Sequence, residues 1–278
     1  MKTALLQLCS SDDPGDNAAA VIDMMRDAAD RGAQLILTPE VTNCVSLERA
    51  HQGAVLRPED DDPTLAALRT EARALGIWLA IGSLALRTDD PRGRFSNCSF
   101  LISPHGAVIA RYEKIHMFDV QVTEQETFCE SAAFRPGDRA VLAKTPFGKI
   151  GMTICYDLRF PHLFRTLAQA GADILLVPAA FSPVTGAAHW ETLLRARAIE
   201  TGCFVLAAAQ TGTHDTTCGK VRQTYGHSLA VSPWGEVLSD AGDQIGVTIV
   251  DIDLTEVAQA RQRIPALTHD VAFEGPDD

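Results

Sequence analysis

The segment Ile150-Gly-Met-Thr-Ile-Cys-Tyr-Asp-Leu-Arg-Phe-Pro161 ends an apolar run on a cysteine and turns at once into polar residues. Ile150, Met152 and Ile154 alternate with the β period, while Arg159 to Ala170 carries apolar residues at helical spacing. The pattern predicts Cys155 at the carboxyl end of a strand, ahead of a helix. Open α/β sheets place their ligands at such ends. A partly exposed thiol there, flanked by the free N–H groups of a turn and near a helix N-terminus, is set up as a thiolate nucleophile. The same position also suits a small buried hydrophobe, the usual state of a lone cysteine. A carboxylate is delivered in the same way: Leu35-Ile-Leu-Thr38 reads as a buried strand and runs into Pro39-Glu40, the proline stopping further ladder pairing. By residue type alone Glu40 is a surface glutamate, and Lys114, in the aperiodic stretch Glu113-Lys-Ile-His-Met-Phe-Asp119, a solvated lysine.

The elements that must position these groups follow in order. Thr3 to Cys9 reads as a strand, and Asp16 opens a helix with Val21, Ile22, Met25 and Ala29 on one face, ending near Gly32. Pro63 to Leu75 is a helix closed by Gly76, followed by strands at Ile77 to Leu86, Asn97 to Ile102 and Val108 to Tyr112, the last two joined by the turn Pro104-His-Gly106. A long irregular segment then runs through Glu130 to Pro136-Gly137; Phe118, Phe128 and Phe134 argue that it packs. Further on come a strand at Ala172 to Val177, a helix at Ala187 to Glu200 and a strand at Cys203 to Ala208. A hairpin from Gly226 to Leu238, a strand at Gly246 to Asp253 and a helix near Thr255 to Arg263 finish the core. Strand, helix, strand, helix and then paired strands occurs twice, before and after residue 140. That predicts a two-layer sheet core with helices outside.

With 278 residues, 46 % hydrophobic and 22 % charged, the chain can bury about three quarters of its unfolded surface. No linker or compositional step divides it, so residues 1–278 are expected to form one domain, with a loosely ordered tail from about residue 270. The net charge of −12, with no Lys/Arg cluster, argues against nucleic acid. The seven cysteines (9, 44, 98, 129, 155, 203, 218) are scattered without a C-x-x-C pair, as expected of reduced thiols rather than a metal or redox site. Neither a signal-peptide core nor an apolar span of membrane length is present in the sequence, so a cytoplasmic protein is expected, with no membrane partner.

Three separated pieces, Thr38-Pro-Glu40, Tyr112-Glu-Lys-Ile-His116 and Ile154-Cys-Tyr-Asp-Leu-Arg-Phe-Pro161, together resemble the nitrilase, or carbon–nitrogen hydrolase, superfamily. The resemblance extends to the blocks His189 to Glu200 and Tyr225 to Gly235, and so over nearly the whole chain. It implies an α/β fold, a four-layer α-β-β-α sandwich, whose protomers pair through helices near the active site as a homodimer or larger homo-oligomer. It also implies that Glu40, Lys114 and Cys155 form a catalytic triad, with Glu130 of Phe128-Cys-Glu-Ser131 matching a second glutamate of the site. No metal or cofactor is required.

The residue types suit those roles. An amide carbonyl is a poor electrophile, so its hydrolysis needs a strong nucleophile, a stabilised oxyanion and a proton for the departing ammonia. Cys155 would attack and form a thioester, and Glu40 would move the protons. Lys114 would hold the oxyanion with the Tyr156 backbone N–H, while Glu130 would orient Lys114 and the substrate. Within the superfamily, Cys155 to Pro161 and the two later blocks are similar to amidases of deaminated glutathione and to ω-amidases of 2-oxo acid amides, both acting on small carboxylate-bearing amides. Two features depart from many relatives: His162 follows Pro161 where a carboxylate is common, and His214 to Gln223 forms a polar loop that varies between branches. An acidic substrate calls for a basic pocket residue that the sequence does not identify; Arg159, Arg195 and Arg197 suit structural ion pairs equally well.

Other readings use the same residues. Nitrile and N-carbamoyl amino acid hydrolysis share the triad and differ by pocket shape. A papain-type enzyme would pair Cys155 with a remote histidine, which nothing local supports. Gly226-His-Ser-Leu-Ala230 approaches the G-x-S-x-G pattern of serine hydrolases, but alanine replaces the last glycine and the strand-like run continues. A non-enzymatic scaffold of the same fold is the alternative of a different class, and such a chain would be expected to lose at least one triad residue.

Overall fold

The computed structural model describes residues 1–124 and 126–276. Its strands form two six-stranded sheets. The first runs in the order Gly246–Asp251, Lys2–Gln7, Leu35–Leu37, Trp78–Leu86, Ser96–Ile102, Val108–Glu113. The second runs Val237–Asp240, Leu229–Val231, Phe204–Ala207, Ile174–Leu176, Gly148–Met152, Val141–Thr145. Each has three adjacent parallel strands flanked by antiparallel ones. The repeated order of elements read from the sequence is thus a repeated sheet topology.

Side chains alternate across the first sheet, as the strand period requires. Ala4, Leu6 and Ile36 face the helices Pro14–Asp30 and Pro63–Leu75, packing on Val21, Met25, Leu65 and Leu68. Leu5, Leu35 and Leu37 face the second sheet, sharing a core with Met152, Ile174 and Leu206. The second sheet's outer side is covered by Phe164 and Leu167 of Pro161–Gln169 and by Trp190 and Leu194 of Pro183–Thr201. The layers are therefore helix, sheet, sheet, helix, as expected. Asp13 caps the first helix, its Oδ1 accepting from the Gly15 N–H at 2.7 Å, and Asp62 caps the second through the Leu65 N–H at 2.8 Å.

The ends of the parallel strands converge at Gly82, where a Cβ would lie 2.0 Å from the Thr38 carbonyl oxygen, 2.4 Å from that of Pro39 and 2.5 Å from the Pro178 Cβ. Only glycine lets both crossings pass this close, and it brings Glu40 of one sheet beside Ala180 of the other.

Three sequence expectations change. The segment after Val108–Glu113 is not wholly irregular: Asp119–Gln121 pairs with Thr127–Cys129, and Glu130–Ala133 is a helical turn. Its phenylalanines do pack, Phe118 on Phe128 at 5.2 Å and Phe134 on Phe95 at 5.8 Å. The helix expected from Ala187 begins at Pro183, because proline suits the first helical position and Gly186 is needed where the Tyr225 ring abuts. Between the strand Gly148–Met152 and the helix Pro161–Gln169 lies a 3₁₀ turn, Cys155–Arg159. Of the tail, residues 271–276 are exposed and carry neither helix nor strand, while Asp277 and Asp278 lie outside the described residues.

Candidate active site

Glu40, Lys114, Glu130, Cys155 and Tyr156, far apart along the chain, line one cavity of about 320 Å³. That volume is at the small-molecule end of binding sites. Lys114, 2 % exposed, places its Nζ 2.8 Å from Glu40 Oε1 and 2.9 and 2.8 Å from the two oxygens of Glu130. The second oxygen of Glu40 accepts the Ala180 N–H at 2.9 Å. Glu130 Oε2 also accepts the Phe118 N–H at 2.7 Å, which ties the hairpin to the site.

Both reactive segments are held in strained backbone. Cys155 has φ +49° and Val41, next to Glu40, φ +47°, a region that side chains with a Cβ avoid and β-branched ones most of all. Val41 is fixed by its N–H donating to Ser83 Oγ at 2.8 Å, and Cys155 by its N–H donating to the Pro178 carbonyl at 2.9 Å. The fully buried Asp157 locks the turn from below. Its carboxylate accepts from the Ile154 N–H at 2.8 Å, the Tyr112 hydroxyl at 2.6 Å and the His116 N–H at 3.1 Å, and meets His116 Nδ1 at 2.7 Å. Tyr112 and His116 bracket Lys114, so one carboxylate registers the lysine segment against the cysteine turn.

Burial and charge set the protonation states. Burial pushes the Cys155 thiol well above its ordinary value and the Glu40 charge adds to this, with Lys114 and the Ala180 N–H opposing. Burial would also raise Glu40, but the Lys114 ammonium, with Arg222, holds it below the usual carboxylate range. Burial would lower Lys114; Glu130 and Glu40 outweigh it and hold the ammonium above the ordinary lysine value. The resting site is a neutral thiol beside an ionised carboxylate and an ammonium. This corrects the expectation of a partly exposed thiol poised as thiolate: Cys155 is 7 % exposed, and a neutral thiol needs a base to take its proton before it can act as a nucleophile.

Asn97, which sequence reasoning missed, donates from Nδ2 to Glu40 Oε1 at 2.9 Å and to Glu130 Oε1 at 3.4 Å. It spaces the two carboxylates around the ammonium. Losing a hydrogen bond to a charged group costs about 1.5–3 kcal/mol. Asn97→Ala is accordingly expected to lower kcat about ten- to a hundredfold with KM little changed, read by steady-state kinetics; an unchanged kcat would remove Asn97 from this role.

Of the three arginines left open by the sequence, Arg195 and Arg197 make structural ion pairs. Arg197 donates to the Leu158 carbonyl at 2.9 Å and pairs with Glu200 at 2.9 Å, and Arg195 donates to the Gly235 carbonyl at 2.9 Å and pairs with Glu191 at 3.2 Å. Arg159 lies 5.4 Å from the Phe181 ring centre. Among the described residues none of the three lines the cavity, whereas Arg222 does, from within the polar loop. Ser228 of the G-x-S-x-G-like piece is fully buried, its Oγ accepting the Ala209 N–H at 2.8 Å, a structural position that leaves it no access to substrate.

Comparison with known proteins gives the family. The carbon-nitrogen hydrolase family pattern matches residues 2–262. The chain belongs to the carbon–nitrogen hydrolase family. It is 40 % identical over 267 residues to the deaminated glutathione amidase of Yersinia enterocolitica, an alignment covering 96 % of this chain and 91 % of that protein. Among solved structures the NitFhit protein of C. elegans superposes with a TM-score of 0.87 at 34 % identity over 97 % of this chain, which spans 64 % of that larger one. A glutamate-to-glutamine mutant of the amidase from Nesterenkonia sp. AN1, in which acrylamide has added to the active-site cysteine, superposes with a TM-score of 0.75 at 29 % identity, covering 95 % of this chain and 98 % of that one. This carbon–nitrogen hydrolase is an amidase-type enzyme of non-peptide C–N bonds in the nitrilase superfamily.

Proposed function

We propose that this carbon–nitrogen hydrolase cleaves the amide of small carboxylate-bearing substrates, deaminated glutathione foremost, through a thioester on Cys155. The observation that carries the reading is Lys114 held 2.8 Å from Glu40 and 2.8 Å from Glu130 at the cavity that Cys155 lines; the deaminated glutathione amidase of Yersinia enterocolitica supports the substrate.

In the first half-reaction Cys155 Sγ attacks the amide carbon while Glu40 takes the thiol proton. The oxyanion is held by Lys114 Nζ and by the Tyr156 N–H, which the start of a 3₁₀ turn leaves without an internal acceptor. Glu40 then gives its proton to the leaving nitrogen, the C–N bond breaks and the thioester remains. In the second, Glu40 takes a proton from water as it attacks, and collapse releases a carboxylic acid and restores the thiol. Water and amide are converted to acid and amine. The leaving amine is ammonia for a primary ω-amide. In deaminated glutathione the scissile nitrogen belongs to a dipeptide, so the expectation of ammonia holds only for the ω-amides. Glu130 orients Lys114 throughout.

We infer a single carbon–nitrogen hydrolase domain that works as a cytoplasmic homodimer or larger homo-oligomer. Val184 and Ile199, 51 % and 57 % exposed on the helix Pro183–Thr201, favour association, and seven free cysteines suit a reducing compartment. Among the described residues no helix is long and apolar enough to cross a membrane.

The test is a panel of deaminated glutathione, 2-oxoglutaramate, simple nitriles and N-carbamoyl amino acids, scored by acid product. Highest kcat/KM is expected on the first two; preference for nitriles or carbamoyl compounds would overturn the substrate class, and turnover of none of them would favour the scaffold.

A further inference from the structure

We propose that Arg222, with the first turn of the helix Pro183–Thr201, forms the subsite that binds the carboxylate on the acyl part of the substrate. This rests on the amidase reading above and fixes which wall of the cavity the anion occupies.

Two cations line the cavity among the described residues, Lys114 and Arg222. Lys114 is bonded on both sides by Glu40 and Glu130. Arg222 donates from Nη2 to the Ala180 carbonyl at 2.8 Å and enters no ion pair among the described residues. A guanidinium has five N–H donors in a planar fork matched to a carboxylate, so most of its capacity stays free. In a chain of net charge −12 an unpaired arginine at a reactive cavity is conspicuous.

A second observation comes from the neighbouring helix. Ser182 is its N-cap residue, lines the cavity and is 6 % exposed, yet its Oγ is buried without a hydrogen-bond partner. A serine in that position ordinarily accepts an N–H of the first turn; here it makes no such cap. Thr185, in the same turn, also lines the cavity. The positive end of a 19-residue helix therefore meets the cavity on the wall that carries Arg222.

Packing holds these parts together. The Tyr225 N–H donates to the Phe181 carbonyl at 3.0 Å, and the Tyr225 ring abuts Gly186, where a Cβ would fall 2.2 Å from Cγ. The strand Gln223–Tyr225 is thereby pinned across the helix start, with Arg222 immediately before it. Ala180 serves both functions, its N–H on Glu40 and its carbonyl on Arg222. An anion held by Arg222 thus sits a short acyl chain away from the carbon presented to Cys155. The acyl part shared by 2-oxoglutaramate and deaminated glutathione, a dicarboxylic chain with its free carboxylate at the far end, has this form.

The experiment compares 2-oxoglutaramate with pentanamide, a neutral amide of equal chain length, in the full chain and in Arg222→Gln, Arg222→Lys and Ser182→Ala. The quantity read is the ratio of the two kcat/KM values, which cancels general damage to the triad. Arg222→Gln is expected to lower that ratio ~10²-fold, mainly through KM for the anionic amide, Arg222→Lys about tenfold and Ser182→Ala several-fold. A wild-type preference for 2-oxoglutaramate that persists in Arg222→Gln would overturn the subsite and leave the amidase reading standing. A wild-type enzyme without that preference would overturn the reading itself, and the subsite with it. If Arg222→Gln does not fold, Arg222→Lys decides the matter, since it keeps the charge and loses the fork; an unchanged ratio there counts against the proposal.

Discussion

Cys155→Ala is expected to reduce hydrolysis of 2-oxoglutaramate and deaminated glutathione by about 10⁴-fold or more while the protein stays folded. In the proposed mechanism loss of the covalent nucleophile removes the step that the rest of the site serves, and what survives is the modest contribution of binding and oxyanion stabilisation to direct attack by water. The fold should tolerate the change: the side chain lines a cavity, its backbone N–H still reaches the Pro178 carbonyl, and the Asp157 anchor below the turn is untouched. Alanine also keeps the Cβ at φ +49°, so the strain neither rises nor falls. Release of the acid product, with thermal unfolding of the same sample, separates loss of chemistry from loss of structure. Undiminished turnover would exclude the covalent route.

Lys114→Met carries the second large effect, and it acts on rate and stability together. In the proposed mechanism the ammonium is the oxyanion's charged partner, and removing one such donor typically lowers kcat ~10²–10³-fold. Among the described residues it is also the only cation paired with both Glu40 and Glu130. Breaking a buried ion pair on one side typically destabilises by about 3–5 kcal/mol, because the remaining charge is left uncompensated. The pH dependence should invert. In the wild type Glu40 is held below its unfolded value of 4.5, so it contributes stability above that pH which is lost as pH falls through the folded value. In the variant, burial and the facing carboxylate push a glutamate above its unfolded value, so stability is fuller at low pH and lost as pH rises. Denaturant unfolding should therefore find the variant more stable at pH 5 than at pH 8. Equal stability at the two pH values, with normal kcat, would mean that Lys114 neither balances the carboxylates nor holds the oxyanion.

How much of this could be read from the chain depends on how local each signal is. Glu40 and Cys155 were placed at strand ends because Leu35 to Thr38 and Ile150 to Ile154 have the β pattern, and parallel strands deliver their following residues to one edge. Lys114 has no such signature and was identified by resemblance alone. Asn97, Asp157 and Arg222 act through partners 57, 45 and 42 residues away, and no local spacing announces such pairings. The hairpin Asp119–Gln121 with Thr127–Cys129 escaped because three-residue strands are too short to show an alternation. The exposure of Cys155 was misjudged for a related reason: sequence shows the strand end but not the two sheets closing over it. Two sheet layers with helices outside are legible in the order of elements, which recurs in both halves, while the four-layer α-β-β-α sandwich is what the family resemblance implies.

Mass spectrometry of the intact protein after rapid quenching with 2-oxoglutaramate tests the covalent mechanism most directly. A transient gain equal to the acyl group, mapped to the peptide that contains Cys155 and absent from Cys155→Ala, is the predicted result. Full turnover with no adduct at Cys155 at any time, or the same adduct in Cys155→Ala, would contradict it.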